Sequence, residues 1–153
     1  MTLRTVAGRR VGETAEDLQV WLRQLDGCPP ISLTVLATCP SEQHADEPAT
    51  WFYVEADARE STARRRCLSC GRTSDVLDSA EHWNYPRMWS CAGCGQSIAE
   101  VAAGLHVEDG DGEDADGVTW VAVAARCVEC GLIEGLTDFN VNPIDSEAIT
   151  ARL

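Results

Sequence analysis

Three five-residue segments share one pattern: Cys67-Leu68-Ser69-Cys70-Gly71, Cys91-Ala92-Gly93-Cys94-Gly95 and Cys127-Val128-Glu129-Cys130-Gly131. Two cysteines separated by two residues can aim both sulfurs at one ion as the chain turns sharply, and a following glycine accepts the positive φ such a turn often requires. One such knuckle supplies half of a tetrahedral shell. A chain holding three must fold so that knuckles meet one another or meet further ligands. Six of the eight cysteines lie in these pairs, spacing that points to metal rather than to a disulfide framework.

At these three motifs the chain resembles the zinc-ribbon superfamily with rubredoxin-type CxxCG knuckles, in which two knuckles held by a β-hairpin close a four-cysteine shell. The resemblance covers the local motifs and no more of the chain. It implies structural zinc and a small, mostly β fold.

The rest of the sequence agrees with a mostly β chain carrying one N-terminal helix. Thr14-Ala15-Glu16-Asp17 has the form of a capping box, and Leu18, Trp21, Leu22 and Leu25 follow at helical spacing until Gly27 and Pro29-Pro30. One amphipathic helix is expected at about 14–26, its apolar stripe packing on the core. Ile31, Leu33, Val35 and Ala37 alternate with other residues, and Trp51–Val54 and Val118–Val123 are rich in β-branched and aromatic types. These read as strands. Between Val107 and Val118 a run of acids and glycines reads as a solvated hairpin loop, because its spacing lacks the glycine and glutamate of a calcium-binding EF-hand loop.

Internal similarity suggests how the knuckles are distributed. The first is followed by Val76-Leu77-Asp78 and then Trp83-Asn84-Tyr85-Pro86, and the third by Leu136-Thr137-Asp138 and then Phe139-Asn140-Val141-Asn142-Pro143. The aspartate falls eight positions after the second cysteine in both. A Trp-bearing strand precedes each, so a tandem repeat is expected. The organisation is then a leader with the helix at 1–30, one zinc-ribbon-like unit at 31–86, a second at 87–146 and a tail at 147–153.

In that repeat the middle knuckle opens the second unit, and the opener of the first lies around Cys39, where CxxC has become Cys39-x2-Glu42 with His44 close by. The ligand sets are Cys39, His44, Cys67 and Cys70 for one ion and Cys91, Cys94, Cys127 and Cys130 for another, so two zinc ions per chain. Glu42 and Cys28 remain alternatives to His44 as the fourth ligand. The competing arrangement joins Cys67, Cys70, Cys91 and Cys94 across the twenty residues from Cys70 to Cys91, at the upper end of usual ribbon spacing. His82 and His106 have no ligand-like spacing.

Composition limits the function classes. A formal charge of -13 opposes broad binding to a phosphate backbone. Residues 59–87 are locally basic, with Arg64, Arg65, Arg66, Arg72 and Arg87 as candidate phosphate contacts and Trp83 or Trp89 as stacking platforms. His106-Val107-Glu108 with Cys127-x2-Cys130 superficially matches a zinc-deaminase signature, but the proline before the CxxC is missing and four-cysteine closure leaves no open position. Rubredoxins also hold one iron between two such knuckles, and the 32 residues from Cys94 to Cys127 are similar to their separation. The aromatic, proline-rich approach to a CPxCG knuckle is absent here. The expectation is a non-catalytic, cytoplasmic zinc protein that binds another protein, with nucleic-acid binding and iron electron transfer as alternatives and no membrane association.

Overall fold

A computed structural model describes residues 3–76, 79–83, 87–108, 117–144, 149 and 153. Of His82 and of residues 142–144 only the backbone belongs to that set. Leu77-Asp78, Asn84-Tyr85-Pro86 and most of the acidic glycine run (109–116) lie outside it.

Among the elements with described bounds, the fold is mostly β with one α-helix, as the patterning suggested. Strands β1 (Arg4–Val6) and β2 (Arg9–Val11) form an N-terminal hairpin inside what the sequence suggested was a plain leader. Ala7 and Gly8 both take positive φ between them, the conformation a two-residue type I′ turn needs. Helix α1 (Ala15–Arg23) is shorter than the expected 14–26, and its capping box is in place. The Thr14 hydroxyl accepts from the Asp17 N–H, and the Asp17 carboxylate accepts from the Glu13 and Thr14 N–H groups at 2.8 and 3.1 Å. We expect Thr14→Ala to cost about 1 kcal/mol, read as a fall of about 2–4 °C in Tm for a chain this long.

The remaining strands are β3 (Leu33–Leu36), β4 (Phe52–Asp57), β5 (Thr62–Cys67), β6 (Thr73–Asp75), β7 (Arg87–Met88), β8 (Ile98–Val107), β9 (Val118–Cys127) and β10 (Ile133–Ile144). They form one eight-stranded antiparallel sheet whose main path runs β10-β9-β8-β4-β5-β6, with β3 paired to β8 and β7 to β4 off that path. Strand β8 is the joint. One edge pairs β9 along its whole length, while the other pairs β3 through Ala102–Leu105 and β4 through Ile98 and Ala99. The segments 31–86 and 87–146 thus share a single sheet. It curls until β10 lies alongside β4 and β5.

Alternation along β8 and β9 divides the interior in two. Ala99, Val101, Ala103 and Leu105 face Val121, Val123 and Ala125 in a core with Phe52, Val54 and Ala63. Ala102, Trp120, Ala122 and Ala124 face the other way, onto Leu18 and Leu22 of α1. The small side chains let neighbouring segments approach closely: a Cβ on Gly104 would stand 3.0 Å from Ile31. Two residues near the C-terminal end, Ile149 and Leu153, are buried in the first core, so the expected tail contributes packing.

Candidate metal centres

Each intact knuckle is built by the same pair of backbone hydrogen bonds. The first cysteine's N–H donates to the carbonyl five residues on, and its own carbonyl accepts from the glycine four residues on. The distances are 2.9 and 2.9 Å at Cys67, 2.8 and 2.8 Å at Cys91, and 2.9 and 2.9 Å at Cys127. Gly71, Gly95 and Gly131 close these turns with φ of 76, 78 and 79°, where glycine carries no Cβ penalty. The segment around Cys39 turns differently. The Cys39 N–H donates to the Ala49 carbonyl at 2.9 Å, and a 3-10 turn over Glu42–His44, capped by Ser41, swings His44 inward.

The ligand-type side chains collect into two groups of four, Cys39 with His44, Cys67 and Cys70, and Cys91 with Cys94, Cys127 and Cys130; within each group the donor atoms all lie within 4.8 Å of one another. In the first group the Cys39 and Cys70 sulfurs are 3.6 Å apart, and the Cys67 sulfur is 3.6 Å from His44 Nε2. In the second, Cys91 to Cys130 is 3.4 Å and Cys94 to Cys127 is 3.5 Å. These separations far exceed the S–S bond of about 2.05 Å. They approach the ~3.8 Å that a tetrahedral ion with ~2.3 Å metal–sulfur bonds would impose. Both groups fit a metal ion.

The polar surroundings favour anionic sulfur. The Gly93 N–H donates to the Cys91 sulfur at 3.3 Å. The Arg72 N–H, then His44, pull Cys70 down to about 6, and the Gln96 N–H lowers Cys94. Burial acts the other way, raising Cys39 and Cys127 and pushing Cys130 up to about 12. Four sulfurs this close cannot all ionise without a cation between them.

The second group is fastened from several directions. Glu134 of β10 accepts from Trp89 Nε1 at 2.9 Å and from the Ala92 N–H, inside the middle knuckle, at 3.4 Å. Beside the third knuckle, Arg126 is buried in an ion pair with Glu100 at 2.8 Å and donates to the Gly12 carbonyl at 3.1 Å. The Gly12 N–H donates to the Gly131 carbonyl at 2.9 Å. The N-terminal segment therefore clasps this site. Arg126, Glu100 and Gly12 carried no motif, and only a buried charged pair in an otherwise apolar strand could have signalled them.

The structure does not bring Cys67 and Cys70 together with Cys91 and Cys94. Glu42 and Cys28 belong to neither group: Cys28 packs under α1, its thiol toward the Leu25 carbonyl at 3.6 Å. His106 Nδ1 meets the Pro30 carbonyl at 2.7 Å.

The five arginines do not form an open phosphate-binding row. Alternation along β5 turns Arg65 inward, where it is 4% exposed, stacks on Phe52 and donates to the Leu153 carbonyl. It cannot reach a phosphate backbone. Arg64 is held by Glu55 at 3.0 Å and lies over Trp83, which occupies that ring as well. Trp89 is half-buried and hydrogen-bonded to Glu134. Arg66, Arg72 and Arg87 are exposed. No helix among the described residues is long and apolar enough to cross a membrane.

Comparison of the chain with protein-family models, with curated proteins and with solved structures returned no match.

Proposed function

We propose that this chain is a structural zinc protein in which two ions hold a non-catalytic protein-interaction module. Cys39, His44, Cys67 and Cys70 would hold one ion, and Cys91, Cys94, Cys127 and Cys130 the other. The observation that carries the reading is the convergence of eight ligand-type side chains into two groups of four, each gathered from two distant segments. Four protein ligands per ion fill a tetrahedral shell and leave no position for substrate or water, which is the arrangement of structural rather than catalytic zinc. Zinc in such a shell supplies folding energy and no redox chemistry.

The same reading treats 31–86 and 87–146 as two zinc-ribbon-like units fused through one sheet, the first with its opening knuckle replaced by Cys39 and His44. A formal net charge of -13 suits a partner of opposite charge better than nucleic acid.

Metal analysis by mass spectrometry on native protein tests the assignment. Two zinc ions per chain are expected, falling to one in His44→Ala, with His44→Cys restoring two. One zinc in the unmutated protein would contradict the two-site reading, and iron would replace it with an electron carrier. Affinity capture from native extract is expected to recover a stoichiometric protein partner. A strictly monomeric protein that captures none would count against the interaction role.

A further inference from the structure

Among the described residues, three aromatic rings carry an arginine on their faces. Arg64 lies 4.3 Å from the Trp83 ring centroid, Arg65 4.6 Å from Phe52 and Arg66 5.7 Å from Tyr53. Trp51, immediately before Phe52 in the chain, is 47% exposed, and no described arginine covers it. It lines an open groove of about 570 Å³ with Leu68, Pro48, Asp46, Glu47 and His44. Leu68 is itself 37% exposed. Asp46 and Glu47 are exposed and form no ion pair with a described residue.

The groove combines the three elements that receive a basic side chain. An aromatic face attracts a cation through its quadrupole, most strongly when the ring is indole. Two carboxylates beside it supply the counter-charge and steer a positive partner toward an acidic protein. Leu68 and Pro48 give apolar wall for the stem of an arginine or for an adjacent aliphatic residue.

The first metal centre builds the groove. One wall contains His44, whose Nε2 lies 3.6 Å from the Cys67 sulfur. The lining also takes in Leu68 and Ser69, the two residues between Cys67 and Cys70. The Leu68 N–H donates to the Trp51 carbonyl at 3.0 Å. An ion held by these ligands would fix His44 and the Leu68-Ser69 turn together.

We infer that this groove docks an arginine-bearing segment of a partner protein, with a guanidinium over Trp51, its charge met by Asp46 and Glu47, and a neighbouring apolar residue against Leu68. The inference rests on the interaction-module reading and names its surface and the chemistry of its partner.

The zinc-loaded 153-residue protein, isotope-labelled for NMR, is titrated with the blocked peptide acetyl-Gly-Arg-Leu-Arg-Gly-amide and with its glutamate counterpart. The arginine peptide is expected to shift the Trp51 indole N–H and the Leu68 and Ser69 amides, weakening as salt is raised, while the glutamate peptide shifts none of them. Trp51→Ala and the double variant Asp46→Asn/Glu47→Gln should each weaken binding about fivefold or more, and Trp51→Phe should recover most of the loss. Zinc content of each variant, measured alongside, is expected to stay at two. Silence at all three signals up to about 5 mM peptide, or unchanged affinity in both variants, overturns the inference. If those negatives come from a protein that holds two zinc ions and captures a partner, the groove is wrong and the interaction module stands.

Discussion

On the two-zinc proposal, stripping the metal with a strong chelator at neutral pH is expected to abolish the cooperative thermal transition of the protein, and adding zinc back should restore it. The reason lies in what the sulfurs do besides binding metal. Cys39 and Cys67 belong to the main core, and Cys91 and Cys127 form a third small core with Leu132. Without an ion these buried positions must hold either crowded thiols or mutually repelling thiolates. Zinc binding of this kind contributes ~10–16 kcal/mol, against ~5–15 kcal/mol for the net stability of a whole domain, so its loss can exceed everything else that holds the fold. In the metal-free chain the cysteines within each site respond to pH in opposite senses, with Cys70 and Cys94 lowered and Cys39, Cys127 and Cys130 raised. Cys70 is held down at about 6, so the stability it adds is complete above the ordinary thiol value and is lost as pH falls through about 6. Cys130 is pushed up to about 12, so the fold favours its neutral form and loses that stability as pH rises above the ordinary thiol value. Bound metal requires both as thiolates, so acid should release it, followed with a chromogenic zinc indicator. Circular dichroism and calorimetry decide the main point: a chelated, metal-free protein that still melts cooperatively within about 5 °C of the loaded one would sink the structural role.

The parts of this fold that could be read in the sequence are those whose local chemistry matches their surroundings. The knuckles announce themselves because sulfur geometry demands a fixed spacing and a left-handed residue after it. Helix α1 is legible through Thr14, Asp17 and a 3.6-residue apolar stripe. Strand β8 is not. Its sequence, Ile98-Ala-Glu-Val-Ala-Ala-Gly-Leu-His-Val, is buried along most of its length, so neither alternation nor β-branched content marks it. Strand β5 hid behind its arginines: Arg64, Arg65 and Arg66 form a charge run in one dimension, yet a two-residue period sends the middle one into the core. The N-terminal hairpin leaves little mark in the sequence, because Ala7-Gly8 replaces the Asn-Gly or Asp-Gly that usually marks such a turn. At the first metal site, the 3-10 turn that brings in His44 leaves no periodic trace, and spacing alone could not separate it from Glu42.

Among the three knuckle glycines, which share a backbone conformation, only Gly131→Ala is expected to cripple the protein. Gly71, Gly95 and Gly131 have φ of 76, 78 and 79°, and an alanine at any of them pays the left-handed penalty of roughly 1–2 kcal/mol. For Gly71 and Gly95 the penalty ends there, because a Cβ would meet nothing within 4 Å. At Gly131 the same Cβ would stand 2.3 Å from the Gly12 carbonyl oxygen and 3.2 Å from Val11. No side-chain rotation relieves a clash with backbone, so the N-terminal clasp must move. That movement breaks the hydrogen bond from the Gly12 N–H to the Gly131 carbonyl and pulls the Gly12 carbonyl away from Arg126. Arg126 would keep its pairing with Glu100 and the longer bond from Nη1 to the Cys127 carbonyl at 3.4 Å, but lose the shorter bond to Gly12 from a buried charged group, a loss of about 1–3 kcal/mol. The total is about 3 kcal/mol or more, read as a fall of about 6–12 °C in Tm. Gly71→Ala and Gly95→Ala should lose about half as much or less. Equal losses at all three positions would mean that the knuckle's own turn, and not the clasp against Gly12, is what requires glycine at Gly131.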